Sequence, residues 1–366
     1  MIDACDPCLR RAFLLAHLAP RIAGLLGSAD RKATGLLALS EHELLAAAAG
    51  RRVQQALDFL ESLDAHRERE RLTSGAFVAI CRHAGGYPPL LCDLPDPPAV
   101  LFGAGRADVL LELAEASAVT IVGTRRASPY GTEVAYALGR GLGAAGVPVV
   151  SGLALGIDGT AHRGCLDGGG TPVAVVACGP DIVYPRRHRN LHERVRDAGL
   201  VLGELPPGSE PFRWSFPARN RIMAGLARMT LVVEAADPSG SLITAEFAKD
   251  LGRCVAAVPG RITSSVARGT NNLLKDGATP IRGTEDVLDE LFGVGMRPVV
   301  DAGTVGEPEE PVLARVLEAA DGCDSVETVA TAAGLSVSET RAALGRLEAE
   351  GFIARSDIGG WERRAY

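Results

Sequence analysis

Short apolar runs alternate with helix-length segments through the middle of the chain. Each run is three to five residues long and almost entirely apolar, which is typical of parallel strands that are buried on both faces. The alternation predicts a Rossmann-like α/β domain over residues 118–292, with a doubly wound, mostly parallel sheet covered by helices on both sides. The predicted strands are residues 119–122, 147–150, 173–177, 200–202, 231–233 and 255–258.

The residues before this domain show two different patterns. Residues 1–75 are rich in Ala and Leu at helical spacing, and they predict a small helical domain of the SAM-like or helix-hairpin-helix-like kind. Residues 76–117 contain five prolines between positions 87 and 98. Because proline lacks a backbone N–H and restricts the residue before it, we expect an extended linker that ends in a short strand-like run at 99–102.

The residues after the central domain predict a linker and a second small domain. Residues 293–310 are rich in Gly, Pro and acidic side chains without periodicity, which indicates a flexible linker. Residues 311–366 predict a helix, a short helix, a turn and a last helix, followed by two strands around a glycine turn. Ser336 or Ser338 can cap the last helix. This order predicts a winged-helix domain.

The charge and the apolar content exclude several classes of protein. With 47% apolar residues the chain can bury a sizeable core, and the formal net charge of −7 argues against a protein that coats duplex DNA by bulk electrostatics. Any nucleic-acid site must therefore be local. No apolar run reaches the roughly 18 residues that cross a bilayer, and the first residues carry charges where a signal peptide is apolar. We therefore expect a cytoplasmic protein without membrane contact.

The eight cysteines are scattered along the chain, which suits reduced thiols better than a disulfide framework. Cys5 and Cys8 form a CxxC pair that could surround zinc together with Cys81 and Cys92. The spacing matches no familiar zinc finger, so free thiols are the favoured interpretation, and we predict neither a metal nor a cofactor.

Two loops at predicted strand ends carry features that suit phosphate. Ligands of open parallel sheets bind beyond the carboxyl ends of the strands. After the first strand, Gly123 and Thr124 lead to Arg125 and to a helix whose first amides can receive an anion; the alternative is a surface loop with solvated arginines. After the next strand, Gly152 and Gly156 allow close backbone approach. Asp158 and His162 in the following helix are too few for a metal site, so helix capping and packing are favoured there.

The segment 212–221 alternates cations with aromatic side chains, which is the combination that single-stranded nucleic acid needs. Arg213 would contact the backbone and Phe216 an unstacked base; the alternative is that Trp214 and Phe216 are core residues. Gly240 and Ser241 begin a later helix and offer amides and a hydroxyl to a second phosphate. The candidate DNA-binding residues are Arg125, Arg213, Phe216, Arg219, Arg221, Gly240 and Ser241, and the candidate phosphate-loop residues are Gly123, Thr124, Gly152 and Gly156.

Seven short motifs together resemble the DprA/Smf family in order and spacing. They are GTR at 123–125, SGLALGID at 151–158, YP at 184–185, FPARNR at 216–221, SGSLITA at 239–245, VPG at 258–260 and GTN at 269–271. The resemblance implies a dimeric, non-enzymatic protein that binds and protects incoming single-stranded DNA and loads the recombinase RecA onto it during natural transformation. It also implies that Arg125 contacts phosphate, that Arg213 replaces a basic residue that is lysine in many relatives, and that Phe216 contacts a base.

Two other functions remain as alternatives from the residues. A nucleotide-binding or nucleotide-hydrolysing Rossmann-like enzyme would need a catalytic glutamate, for which Glu204 and Glu234 at strand ends are the candidates, but neither has a PGGxGT loop beside it. A duplex-binding regulator would read DNA with the winged helix. The last helix carries only Arg341 and Arg346 beside three glutamates, which is too few cations for a groove reader.

Overall fold

The protein forms two compact units, residues 1–300 and 301–366. The structure is a computed structural model, and it describes residues 1–26, 32–115, 117–297, 310–320, 325–349, 352–355 and 361–363.

The first unit is built around one ten-stranded sheet. Its strand order is β1-β2-β3-β7-β6-β5-β4-β8-β9-β10. Seven neighbouring strands are parallel, in the order β7-β6-β5-β4-β8-β9-β10. Strand β3 is antiparallel to both β2 and β7. The strands are β1 (Ile2–Asp3), β2 (Phe77–Cys81), β3 (Val100–Gly105), β4 (Val119–Val122), β5 (Val149–Ser151), β6 (Pro172–Val176), β7 (Leu200–Gly203), β8 (Met229–Val232), β9 (Cys254–Ala257) and β10 (Thr279–Pro280).

Helices cover this sheet, as the alternating pattern predicted, and the Rossmann-like fold class is confirmed. The chain runs from β4 outward to β7 and then returns to the other side of β4 with β8. The order of the strands therefore reverses between β4 and β8, which is where sheets of this kind bind ligands. The helices of the first unit are α1 (Asp6–Leu26), α2 (Lys32–Leu37), α3 (Glu41–Leu44), α4 (Val53–Ser62), α5 (Ala65–Ser74), α6 (Val109–Glu115), α7 (Pro129–Ala144), α8 (Ile157–Asp167), α9 (Arg189–Ala198), α10 (Ser215–Leu226), α11 (Gly240–Asp250), α12 (Arg268–Lys275) and α13 (Thr284–Phe292).

Residues 76–117 differ from the linker that their prolines predicted. Strands β2 and β3 and helix α6 lie in this segment, and β3 pairs with β7. The proline-rich part between the strands is not laid loosely on the surface, because Leu91 and Leu94 are buried in the same apolar core as Ile222 of α10. Proline correctly indicated an irregular path between positions 87 and 98, but the apolar runs on either side extend the sheet.

The N-terminal helices pack against the same unit. The core that α1 and α4 form with their neighbours also contains Leu205, Trp214 and Ala218. Strand β1 precedes these helices and pairs in parallel with β2. The helical character of residues 1–75 is as expected, and these helices share apolar cores with α10 and with strands β2 and β3.

The second unit contains α14 (Pro311–Ala320), α15 (Val326–Ala333), α16 (Val337–Ala349) and an antiparallel pair, β11 (Ile353–Arg355) with β12 (Trp361–Arg363). Ser336 forms a capping box with Glu339, since the Ser336 Oγ accepts from the Glu339 amide at 3.3 Å and the carboxylate accepts from the Ser336 amide at 3.0 Å. The element order is the predicted one, and the winged-helix assignment stays a prediction. The expected turn at the two glycines and most of the expected flexible linker, residues 298–309, lie outside the described residues.

None of the helices in the described ranges combines the length and the apolar character that a membrane span requires.

Candidate nucleic-acid interface

A groove of about 620 Å³ opens where the strand order reverses, at the carboxyl ends of β4 and β8. Its walls are the loop after β4, the start of α10 and the start of α11. The lining residues on which the argument rests are Gly123, Thr124, Arg125, Asp158, Tyr184, Arg213, Phe216, Arg219, Asn220, Ser239, Gly240 and Ser241. Eight of the predicted site residues are in this list, and Gly152, Gly156 and Arg221 are not.

The loop after β4 is held in place by its backbone and by a neighbouring glycine. The Thr124 amide donates to the carbonyl of Glu234 at 2.7 Å. A Cβ on Gly123 would lie 2.5 Å from the Ile157 side chain, and a Cβ on Gly156 would lie 2.3 Å from the Thr124 carbonyl oxygen. Gly156 also has φ +77°, which favours glycine. Gly156 therefore supports the groove from behind and does not line it.

Gly152 has a similar supporting position behind Arg219. A Cβ at this position would lie 2.3 Å from the guanidinium of Arg219. The Gly152 carbonyl accepts a hydrogen bond from Arg219 Nη1 at 2.6 Å, and its amide donates to Asp158 Oδ2 at 3.2 Å. Close backbone approach was predicted for this glycine, and the group that approaches is a protein side chain.

Arg125, Phe216 and Tyr184 form a cation-aromatic cluster at the groove. The Arg125 Cζ lies 5.4 Å from the centroid of the Phe216 ring. The Tyr184 ring lies 5.3 Å from the same ring at an interplanar angle of 55°. Arg125 and Tyr184 are exposed, and Phe216 is half-buried. We call these three residues the stacking platform, since a flat base can lie against such rings.

Trp214 and Phe216 have opposite environments, although they are two positions apart. Trp214 is 2% exposed, and its Nε1 donates to the Ala19 carbonyl of α1 at 3.1 Å. It is therefore a core residue that joins the N-terminal helices to α10, as one sequence alternative held. Arg213 before it is exposed and lines the groove together with Phe216.

Arg219 is a buried cation in the floor of the groove. Its Nη1 donates to the carbonyls of Gly152 and Val175, and its Nη2 lies 4.0 Å from Asp158 Oδ2. Burial lowers the pKa of Arg219, although the negative charge of Asp158 acts in the opposite direction. Burial likewise raises the pKa of Asp158, although the positive charge of Arg219 acts to lower it. Asp158 therefore holds Arg219 from behind.

The prediction that Arg221 takes part in the DNA site is not supported by its position. Its side chain is 1% exposed, donates from Nη2 to Glu204 at 2.7 Å, and has Nε 3.1 Å from Asp96 Oδ2. Burial alone would lower the pKa of Arg221, but the charges of Glu204 and Asp96 hold it above its ordinary value. Two positions along a helix are about 200° apart around its axis, so Arg221 lies on the opposite face of α10 from Arg219.

The start of α11, where the sequence predicted a second phosphate position, lies in the wall of the groove. Ser239 caps the helix, with its Oγ accepting from the Ser241 amide, and lies 2.8 Å from the Ser241 hydroxyl. A Cβ on Gly240 would meet no atom within 4 Å, so this turn faces open space. Asn220 of α10 donates to the Gly240 carbonyl at 3.2 Å and so ties the two helix starts together. Asn220 and Tyr184 also line the groove, although the sequence motifs that contain them did not single them out.

The groove is locally positive in an acidic chain. Among the described residues that line it, Arg125, Arg213 and Arg219 are cationic and Asp158 is acidic. This agrees with the expectation that a nucleic-acid site in a chain of net charge −7 must be local.

The two glutamates considered for nucleotide hydrolysis have structural partners. Glu234 accepts from the Ser128 hydroxyl at 2.6 Å and from the Ser128 amide at 2.9 Å, and Glu204 is paired with Arg221. Neither is among the groove-lining residues. Both carboxylates stabilise the fold beside the groove.

The central domain matches a known family of proteins. The family model described as DNA recombination-mediator protein A matches residues 78–292, which is more than half of the chain. The chain belongs to this family, DprA/Smf. The matched residues include every described wall of the groove, and the resemblance carried by the seven motifs is confirmed.

Relatives of this DprA/Smf protein agree with the assignment. Protein Smf of Synechocystis is 42% identical over 217 residues, which cover 59% of this chain and 54% of the relative; the match thus spans about half of that relative's length. The X-ray structure of DNA processing protein A from Streptococcus pneumoniae has a TM-score of 0.62 at 31% identity and covers 78% of this chain and 96% of that one. DNA processing protein A of Helicobacter pylori, whose structure concerns its unique single-stranded DNA binding mode, has a TM-score of 0.52 at 30% identity, with coverages of 59% and 95%.

Proposed function

We propose that this DprA/Smf protein binds single-stranded DNA in the groove between β4 and β8. The observation that carries the proposal is the stacking platform, in which the Arg125 guanidinium lies 5.4 Å from the centroid of the Phe216 ring. A cation beside a half-buried ring offers one group to a phosphate and another to a base. Single strands present both, whereas a duplex keeps its bases stacked.

Each wall of the groove has a role in this proposal. Phosphates lie against Arg125, Arg213 and the start of α11 at Gly240 and Ser241, and a base lies on Phe216 beside Tyr184. Arg219 adds positive charge from the floor without direct contact. Because the contacts are to phosphates and ring faces, binding tolerates any sequence. No step in this function breaks a bond.

We further propose that the bound strand is protected and handed to the recombinase RecA, and that the protein acts as a homodimer. Membership in the DprA/Smf family supports both points. RecA loading is tested by the lag of RecA ATPase activity on single strands already covered by a single-strand binding protein. We expect this protein to shorten the lag and the groove variants below to leave it long. Analytical ultracentrifugation tests the dimer.

The test of DNA binding is fluorescence anisotropy with labelled single-stranded and duplex oligonucleotides at several salt concentrations. We expect tight, sequence-tolerant binding of single strands, and a loss of affinity in the Arg125→Ala/Arg213→Ala double variant. The slope of log K against log salt concentration should become shallower by about 0.7 for each phosphate contact removed.

The matched control is the Arg126→Ala/Arg228→Ala double variant. Both arginines are exposed and neither lines the groove, so the net charge changes equally. The proposal fails if the two double variants lose the same affinity, or if the wild type binds duplex as tightly as single strands.

A further inference from the structure

Four side chains of kinds that can bind metal meet outside the groove, at the junction of the N-terminal segment and β2. They are Cys5, Cys8, Cys81 and His83, and their sulfur and ring nitrogen atoms all lie within 4.8 Å of one another. His83 Nδ1 is 3.4 Å from both the Cys5 and the Cys8 sulfurs, and the Cys81 sulfur is 3.8 Å from that of Cys5.

These separations match the edges of a tetrahedral zinc site. Zinc binds thiolate sulfur at about 2.3 Å and imidazole nitrogen at about 2.0–2.1 Å, so a tetrahedron places sulfurs roughly 3.8 Å apart and sulfur and nitrogen roughly 3.6 Å apart. The measured 3.8 Å and 3.4 Å distances are close to these values. Three thiolates and one imidazole are also a common structural zinc set.

The backbone brings the four residues together through two short segments. Cys5 lies between β1 and α1, Cys8 is in the first turn of α1, and the Leu9 amide donates to the Cys5 carbonyl at 3.0 Å. Cys81 ends β2 and His83 follows in a turn closed by the Ala84 amide on the Cys81 carbonyl at 2.9 Å. Pairing of β1 with β2 sets the two segments side by side.

The surroundings of the cluster suit a closed site. Cys8 is 3% and Cys81 2% exposed, and both belong to an apolar cluster with Leu9, Val100 and Phe102. His83 covers the outer side and is exposed. Of the partners that sequence spacing had suggested, Cys92 is exposed and is not among the four clustered residues, whereas His83 had not been considered.

We propose that Cys5, Cys8, Cys81 and His83 bind one structural Zn²⁺ ion. Four protein ligands leave no open coordination position, so the ion has no catalytic role. It joins the start of α1 to the end of β2. The later part of α1 carries Ala19, which receives the Trp214 hydrogen bond, so the ion and Trp214 hold the same helix at two places.

The test uses the full chain, purified without chelators and under reducing conditions. We expect about one zinc per chain by inductively coupled plasma mass spectrometry. Cobalt exchanged into the protein should give the intense visible bands of a tetrahedral ion together with thiolate charge-transfer bands. A strong chelator should lower the melting temperature, since binding of a structural ion is coupled to folding.

Three variants separate the site from general effects on folding. His83→Ala removes an exposed ligand and should weaken zinc binding by roughly 100-fold, because four ligands share the total affinity. His83→Cys supplies a fourth thiolate and should retain zinc and a tetrahedral cobalt spectrum. Cys92→Ser is the matched cysteine control and should behave as the wild type.

Other results would overturn the proposal. The wild type could retain no zinc after one equivalent is added, or its cobalt spectrum could be octahedral. The His83→Ala variant could bind zinc as tightly as the wild type. The three cysteines could also form a disulfide, with no zinc in the reduced protein. None of these measurements involves DNA, so failure here is distinguishable from failure of the groove proposal.

Discussion

Phe216 contributes to the proposed site through its ring face and carries no charge. In α10 it follows the buried Trp214, but its own side chain is half-buried beside Arg125 and Tyr184. Stacking of a base on such a ring contributes roughly 1–3 kcal/mol. The ring and the arginines therefore make separate contributions to the affinity for single-stranded DNA. The contribution of the ring is independent of salt concentration, and that of the arginines depends on it.

The first prediction concerns Phe216→Leu. We expect the affinity for single strands to fall roughly 5- to 150-fold, the equivalent of one lost stack, with an unchanged salt slope because no phosphate contact is lost. Phe216→Tyr retains a ring and should stay near the wild type. Anisotropy titrations at three salt concentrations measure both quantities, and a shallower slope in Phe216→Leu would contradict the assigned role.

Arg221 shows how burial changes the role of a residue within a motif. It pairs with Asp96 of the proline-rich segment and Glu204 after β7, and all three side chains are at most 14% exposed. Burial raises the pKa of Asp96, and the charge of Arg221 opposes that rise. The guanidinium thus permits two carboxylates to be buried together.

The second prediction is that Arg221→Met destabilises the fold by about 3–5 kcal/mol at neutral pH, because two buried carboxylates lose their partner. Without Arg221 the folded pKa of Asp96 rises further above its unfolded value. Around that pKa the folded state of the variant binds more protons than its unfolded state. The stability that the variant loses relative to wild type should therefore become smaller as the pH falls through the folded-state pKa of Asp96.

Urea unfolding of both proteins at several pH values measures this deficit. Arg196→Met is the control, since Arg196 forms an exposed pair with Asp197 and such pairs contribute about 0–1 kcal/mol. A deficit that grows toward acid pH would refute the charge argument.

At the scale of elements, α8 and the loop after β4 determine each other's position. Gly156 precedes α8, and its missing side chain lets the Thr124 carbonyl and the Arg125 backbone approach it. The Ile157 amide donates to the Thr124 carbonyl at 3.2 Å. The position of Arg125 in the groove therefore depends on a glycine that does not line the groove.

The third prediction compares Gly156→Ala with Gly252→Ala. Both positions have positive φ, +77° and +65°, but a Cβ at Gly252 would meet no atom within 4 Å. Gly252→Ala should therefore show only the conformational penalty of roughly 1–2 kcal/mol. Gly156→Ala should lose more stability and also lose affinity for single strands, because the loop that carries Arg125 must move. Thermal unfolding and anisotropy on the two variants measure this, and equal effects would show that the loop does not depend on Gly156.

Helix α10 is the element whose faces the sequence analysis divided least well. The motif 216–221 indicated a helix start that proves to line the groove, but it did not distinguish Phe216, which lines the groove, from Arg221, which is buried against Asp96. Helical periodicity alone separates the faces of Arg219 and Arg221. Which face meets the groove depends on how α10 lies on the sheet, and the proline-rich segment that covers its other side is remote in sequence.

At the scale of the whole molecule, the two compact units have different expected roles in binding. Every residue of the proposed groove belongs to the first unit. Within that unit the N-terminal helices share a core with Trp214 and Ala218, so they are part of the body that carries the groove.

The fourth prediction follows from this division. A chain ending at residue 297 should fold and bind single strands with the affinity of the full chain. A chain beginning at residue 76 should be strongly destabilised, because it lacks β1 and exposes the buried Trp214. Circular dichroism melting and anisotropy of the two truncations measure these outcomes, and a stable, active second truncation would show that the N-terminal helices are dispensable.

The sequence alone determined the features that depend on neighbours along the chain. Six continuous apolar runs predicted six of the strands, helical spacing predicted the N-terminal helices, and the motifs after the strands predicted most of the groove. These succeed because strand burial, helix capping and turn formation are encoded within a few residues. Tertiary structure alone decided that residues 77–81 and 100–105 extend the sheet, that Arg221 faces Asp96 and Glu204, and that His83 joins Cys5, Cys8 and Cys81. Each of these depends on contacts between residues far apart in the sequence, for which local pattern contains no information.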